Sequence, residues 1–92
     1  MADVIVTIKI MPESPETDLE ELEKTAKDKI SEKIGESEVQ SEIEPVAFGL
    51  KAMKLTFVMS EDKGSPDELE TELSELEGVN SSEVIDARRA IG

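Results

Sequence analysis

The chain has no cysteine, no histidine, no tryptophan and no tyrosine. Without cysteine there are no disulfides, no thiol nucleophile and no thiolate metal ligand. Without histidine there is no imidazole for proton transfer near neutral pH and no zinc site of the usual donor types. The aromatics are Phe48 and Phe57 alone. A core must therefore be aliphatic, built from Ile, Val, Leu and Met, and a face of base-stacking rings is not available. Basic residues are also scarce, 10 against 23 acids, and the net charge of −13 repels phosphate backbones and anionic lipid. Direct nucleic-acid binding and membrane-surface binding are not expected on that ground. The acidic balance serves solubility and favours a basic protein partner or a partner that handles a cation.

Long apolar runs are missing as well. The chain enters "VIVTIKI" almost at once, so neither a signal peptide nor a transmembrane helix is expected. The expectation is a soluble, cytoplasmic protein. At 92 residues it reads as a single domain over 1–92, with no linker and no low-complexity segment. Hydrophobic residues make up 37%, enough for one compact core in a chain of this size.

The apolar residues that are present are ordered. "ADVIVTIKIM" alternates, with Val4, Val6, Ile8 and Ile10 on one side and Ile5, Thr7 and Lys9 on the other, the pattern of a half-buried strand. "PESPE" should end it, since proline cannot donate to a sheet ladder. "TDLEELEKTAKDKISEKIG" has helical spacing, with Leu19, Leu22, Ala26, Ile30 and Ile34 in one stripe. Thr17 reads as its N-cap with Glu20 closing a capping box, and Gly35 as its stop. "SEVQSEIE" is a weakly alternating edge strand ended by Pro45.

"LKAMKLTFVM" is the strongest strand, with Met53, Leu55, Phe57 and Met59 inward. "EDKGSPDELETELSELEG" is a turn and a second helix, with Ser65 as N-cap, Pro66 at its first position, Glu68 closing a capping box and Gly78 as its stop. Its stripe is Leu69, Leu73 and Leu76. "VNSSEVIDARRAIG" is a fourth strand running to the C-terminus. The adjacency of Val84 and Ile85 leaves its inward face undetermined.

The order β-α-β-β-α-β, with right-handed crossovers, places two helices on one face of a four-stranded antiparallel sheet. The fold class is α+β, a ferredoxin-like sandwich. Such a fold hosts many functions, so the sites must be argued separately. "EDKGSPDE" has acids near a glycine but lacks the alternating ligands and distant glutamate of a calcium loop. A helix-capping turn explains it better. No carboxylate sits in an apolar context that would raise its pKa, and no glycine-rich phosphate loop follows a strand. No catalytic residue, metal site or cofactor site is expected.

One stretch stands apart. "EPVAFGLKAMKL" gathers Phe48, Gly49, Lys51 and Lys54 at a bend between two strands. Phe48 either folds back to close the end of the core or stands out as an interface anchor. Arg88 and Arg89 near the C-terminus are either edge charges or a probe for an anionic site.

"PVAFGLKAMKL" resembles the proline–x–x–aromatic–glycine–x–lysine segment of the guanine-nucleotide exchange domain of elongation factor 1-beta. "VIVTIKIMPESPETDLEEL", the "ED" before the second helix and "GVNSSEVIDARRAI" fit that domain in the same order, over nearly the whole chain. The short length resembles the archaeal form. The resemblance implies a ferredoxin-like sandwich and a role in promoting GDP release and GTP reloading on elongation factor 1-alpha, without bond chemistry. It implies partner-binding roles for Phe48, Gly49 and Lys51 in the loop and for Arg88 and Arg89 at the C-terminal end. In eukaryotic relatives a lysine next to the C-terminal residue enters the magnesium site of the GTPase, and counting places Arg89 there. Arginine stands here instead of lysine, with Ala90, Ile91 and Gly92 after it. A monomer is expected when free. The alternatives are a non-catalytic adaptor or regulatory domain that binds a protein through its open sheet face, and, third, an enzyme.

Overall fold

In the computed structural model the described residues are 3–35, 38–46, 49–60 and 66–89. The elements run β1 (Asp3–Pro12), α1 (Leu19–Ile34), β2 (Gln40–Pro45), β3 (Lys51–Ser60), α2 (Pro66–Ser74) and β4 (Val79–Arg89). The four strands form one antiparallel sheet in the order β2-β3-β1-β4. This is the ferredoxin-like arrangement expected from the alternation, with β1 and β3 central.

The alternation of β1 and β3 decides which face is buried. Val6, Ile8 and Ile10 stand opposite Phe57, Leu55 and Met53, and all six are buried. Leu22, Ala26, Ile30 and Ile34 of α1 and Leu69 and Leu73 of α2 close over that face. Each stripe repeats every three to four residues and so lies on one side of its helix. Among the described residues no helix covers the remaining face of the sheet. No polar or charged side chain is buried among the described residues.

Details of the helix ends differ from expectation. The N-cap of α1 is Asp18, whose carboxylate accepts from the N–H groups of Glu20 and Glu21 at 3.1 and 3.3 Å. Thr17 turns instead to the N–H of Ser14. A carboxylate brings charge as well as an acceptor to the positive end of the helix, so Asp18 is the stronger cap of the two. Gly35, at φ +85°, follows α1. Ser65, expected as the cap of α2, lies outside the described residues. α2 stops at Ser74, short of Gly78, although Leu76 still packs against the core from the turn beyond. Pro12 does not end β1 from outside. It is the last strand residue, buried and paired with Val79, at a sheet end where the missing N–H costs no ladder bond.

The undetermined parity of β4 resolves into a β-bulge. Thr7 pairs with Asp86 and Ile8 with Val84, so Ile85 is the extra residue. Val84 packs against the core and Ile85 is left exposed. A second irregularity lies between Met11 and Pro12, where the partners pass from Ser81 to Val79.

Candidate functional site

The bend between β2 and β3 is closed by the N–H of Val46 donating to the carbonyl of Leu50 at 2.8 Å. Gly49 lies inside it at φ +76°, a left-handed conformation that L side chains adopt at a cost. This is the physical reason for the glycine in the motif. Phe48 lies outside the described residues. Lys51, the first residue of β3, is exposed and stands opposite Pro45. Gly49 and Lys51 line a shallow recess of about 300 Å³ shared with Pro12, Ser14 and Asp18, where the chain leaves β1 and enters α1.

Lys54 does not join them. It belongs to the open face and ion-pairs with Glu44 across the β2–β3 boundary. The hydrogen bond from Lys54 and then its charge hold the Glu44 carboxyl below its ordinary range. The same hydrogen bond raises the Lys54 ammonium. Lys9 stands directly opposite Lys54, and Glu42 and Glu83 stand at the ends of the same cross-strand row. The row reads acid, base, base, acid across the four strands, so the like charges at its centre are each flanked by an opposite one.

Arg88 and Arg89 lie at the other end of the sheet. Arg88 pairs with Ile5 and Arg89 with Val4, whose partners across β1 are Val58 and Met59. The run of β3 from Lys51 to Met59, at ~3.3 Å per residue, spans roughly 26 Å. The loop residues and the arginines are therefore not one cluster. They are two separate points on a rigid sheet. Directly paired residues share a face, so Arg88 falls on the open face with Ile5, while Arg89 falls on the helix-covered face with Val4. Arg88 is largely exposed, with its guanidinium 3.0 Å from the Asp86 carboxylate.

Two features of β4 and its contacts were not identified from the sequence. One is the bulge at Ile85, for which the broken alternation at Val84–Ile85 was the only available signal. The other is Glu70 of α2. Its carboxylate accepts the N–H of Val84 at 2.7 Å, and its backbone carbonyl accepts the hydroxyl of Ser82 at 2.5 Å. Nothing in "DELETELSEL" marks Glu70 out from its neighbouring glutamates. Among the described residues no group of three or more Asp and Glu side chains is placed to hold a metal ion, and no helix is long and apolar enough to cross a membrane.

The family described as the EF-1 guanine nucleotide exchange domain matches residues 5–90. A protein named elongation factor 1-beta from Methanothermobacter thermautotrophicus is 44% identical over 89 residues, covering 97% of this chain and 98% of its own. Namesakes from Methanosarcina acetivorans and Methanocorpusculum labreanum are 40% and 35% identical, over 97% and 99% of this chain and 99% and 100% of theirs. Among solved structures, a de novo designed protein, Foldit4, superposes with a TM-score of 0.63 at 18% identity, covering 98% of both chains, which is a likeness of fold alone. With its sheet order, its loop motif and the match over residues 5–90 all in agreement, this chain belongs to the EF-1 guanine nucleotide exchange domain family.

Proposed function

We propose that this protein accelerates GDP release from elongation factor 1-alpha by gripping the GTPase at two points. The Phe48–Gly49–Lys51 bend holds one domain of the GTPase, with Phe48 as the buried anchor. The C-terminal end of β4 presents Arg88 or Arg89 to the magnesium and phosphate site. A cation placed among the oxygens that hold Mg²⁺ competes for the same negative charge, so the β-phosphate loses its counter-ion. No bond is made or broken. The factor binds the nucleotide-free GTPase more tightly than the GDP-bound one, and by linkage it weakens GDP by the same ratio. Equal affinity for both states would shift nothing. GTP then refills the site by mass action.

The observation that carries this reading is the separation of the two groups. The bend and the arginines stand at opposite ends of one packed sheet, with β3 running between them over roughly 26 Å. A rigid spacer of that length suits simultaneous contact with two parts of a larger protein. The strongly acidic bulk would steer the factor toward a basic partner surface.

The test is release of a fluorescent GDP analogue from the cognate elongation factor 1-alpha, with excess unlabelled nucleotide, in the presence and absence of this protein. A large acceleration is expected. Unchanged release with both proteins folded would overturn the reading and favour a non-catalytic adaptor of the same fold.

A further inference from the structure

We infer that Glu70 is a positioning residue for the C-terminal arginines, an inference that rests on the exchange reading above. β4 is an edge strand, and only one side of it pairs with β1. Backbone N–H groups that point away from β1 have no neighbouring strand to bond. At Val84 that N–H is taken by the Glu70 carboxylate at 2.7 Å. Two residues earlier the Ser82 hydroxyl donates to the backbone carbonyl of the same Glu70 at 2.5 Å. One residue of α2 thus ties β4 down on the N-terminal side of the bulge, through a charge-assisted bond that is roughly twice as strong as a neutral one.

The place of that tie matters because of what the bulge does. Val84 faces the core opposite Ile8. With plain alternation from Val84, Asp86 and Arg88 would follow it onto the helix-covered face, and Arg89 would fall on the open face. The extra residue at Ile85 reverses this. Asp86 pairs with Thr7, Ala87 with Val6, Arg88 with Ile5 and Arg89 with Val4. Which arginine faces which way is therefore set by the bulge, since a slip of one residue exchanges the faces of everything beyond it. Glu70 fixes the last residue before that slip. It touches neither the partner nor the nucleotide in this scheme and acts through β4.

The experiment compares Glu70→Ala with Glu70→Gln. Glutamine keeps an amide oxygen that can accept from Val84, whereas alanine keeps none. Two readouts are taken on the intact protein. The first is hydrogen exchange at the Val84 amide together with the cross-strand contact between Thr7 and Asp86, observed by NMR in the free protein. Alanine should speed Val84 exchange by about tenfold or more and weaken the Thr7–Asp86 contact, and glutamine should restore most of both. The second is the rate of GDP-analogue release at saturating factor against the concentration for half-maximal effect. Alanine should lower the maximal rate by about tenfold while moving the half-maximal concentration less than about twofold, because the Phe48 end of the grip is untouched.

Protected Val84 in the alanine variant, or a maximal rate equal to wild type, would overturn the inference. So would a glutamine variant as impaired as alanine in both readouts. If the wild-type protein fails to accelerate release at all, the exchange reading falls and Glu70's part in exchange falls with it. In that case the Val84 and Thr7–Asp86 measurements still decide whether Glu70 holds the bulge.

Discussion

Arg88 and Arg89 are consecutive in the chain and face opposite sides of the sheet, Arg88 beside Ile5 on the open face and Arg89 beside Val4 on the helix-covered face. A single anionic site approached from one direction cannot receive both in the same way. The single substitutions Arg88→Ala and Arg89→Ala should therefore have unequal effects on GDP release, one of them a loss of about tenfold to a hundredfold, the size expected for a charged hydrogen bond. The double substitution should still bind the GTPase and leave GDP release near its unassisted rate. Equal losses in the two single variants, or a double variant with full activity, would remove the cation-insertion scheme.

The two phenylalanines should separate cleanly. Phe57 is buried in the core between the sheet and the helices, and only 2% of it is exposed. Phe57→Ala should cost about 3–5 kcal/mol and lower the melting temperature of so small a domain by ~15 °C or more. Phe48→Ala should leave the melting temperature within a few degrees and weaken binding to the GTPase by about thirtyfold, the usual scale of a lost aromatic anchor. A melting curve for Phe48→Ala that follows that of Phe57→Ala would place Phe48 in the core and end its assignment as an anchor.

The Glu44–Lys54 pair makes a prediction for titration. Lys54 depresses the Glu44 carboxyl, chiefly through its hydrogen bond, so the folded state binds that proton less readily than the unfolded chain. Its stabilising contribution is present above the unfolded carboxyl value of about 4.3 and is lost as the pH falls through the depressed folded value. Lys54 is raised by the same bond. Its contribution is present below about 10.4 and is lost as the pH rises through its raised value. Both are in force at neutral pH, and solvent keeps the pair's effect on stability small. In Lys54→Met the Glu44 titration, followed by carboxyl NMR, should move up to the ordinary range. A Glu44 midpoint unchanged by the substitution would rule out Lys54 as the cause.

Gly49 offers a test of the bend alone. Among the described residues, its chain neighbours aside, an added Cβ would meet no atom within 4 Å, so the cost expected for Gly49→Ala is that of the backbone conformation at φ +76°. The expected loss is about 1–2 kcal/mol, read from the midpoint of urea denaturation. Gly49→Asn should lose less, because asparagine visits the left-handed region more readily. Equal stability of the glycine and alanine forms would mean that the bend does not hold this conformation in solution.

Much of this protein was legible in its residues. The strict alternation of Val4, Val6, Ile8 and Ile10, and of Met53 to Met59, defined the two central strands and their inner faces, because a pleated strand turns every second side chain the same way. The stripe from Leu22 to Ile34 defined the long helix, and the β-α-β-β-α-β order left one sensible topology. The loop motif placed Gly49 at a bend whose φ demands it. These are local rules, and local rules can be read along a chain.

The arginines obey a different kind of rule. Whether Arg88 or Arg89 faces the open side depends on one extra residue at Ile85, and that residue's place depends on how β4 pairs with β1 and on Glu70 reaching across from α2. The separation of the bend from the arginines likewise arises only when β3 is laid full length between them. Lys54, three residues beyond Lys51, stands on the open face and pairs with Glu44 on the neighbouring strand. Sequence alone determined which elements form and which sides of them are apolar, since periodicity and burial are properties of a segment. Tertiary structure decided register, facing and distance, since these arise from hydrogen bonds and packing between segments far apart in the chain.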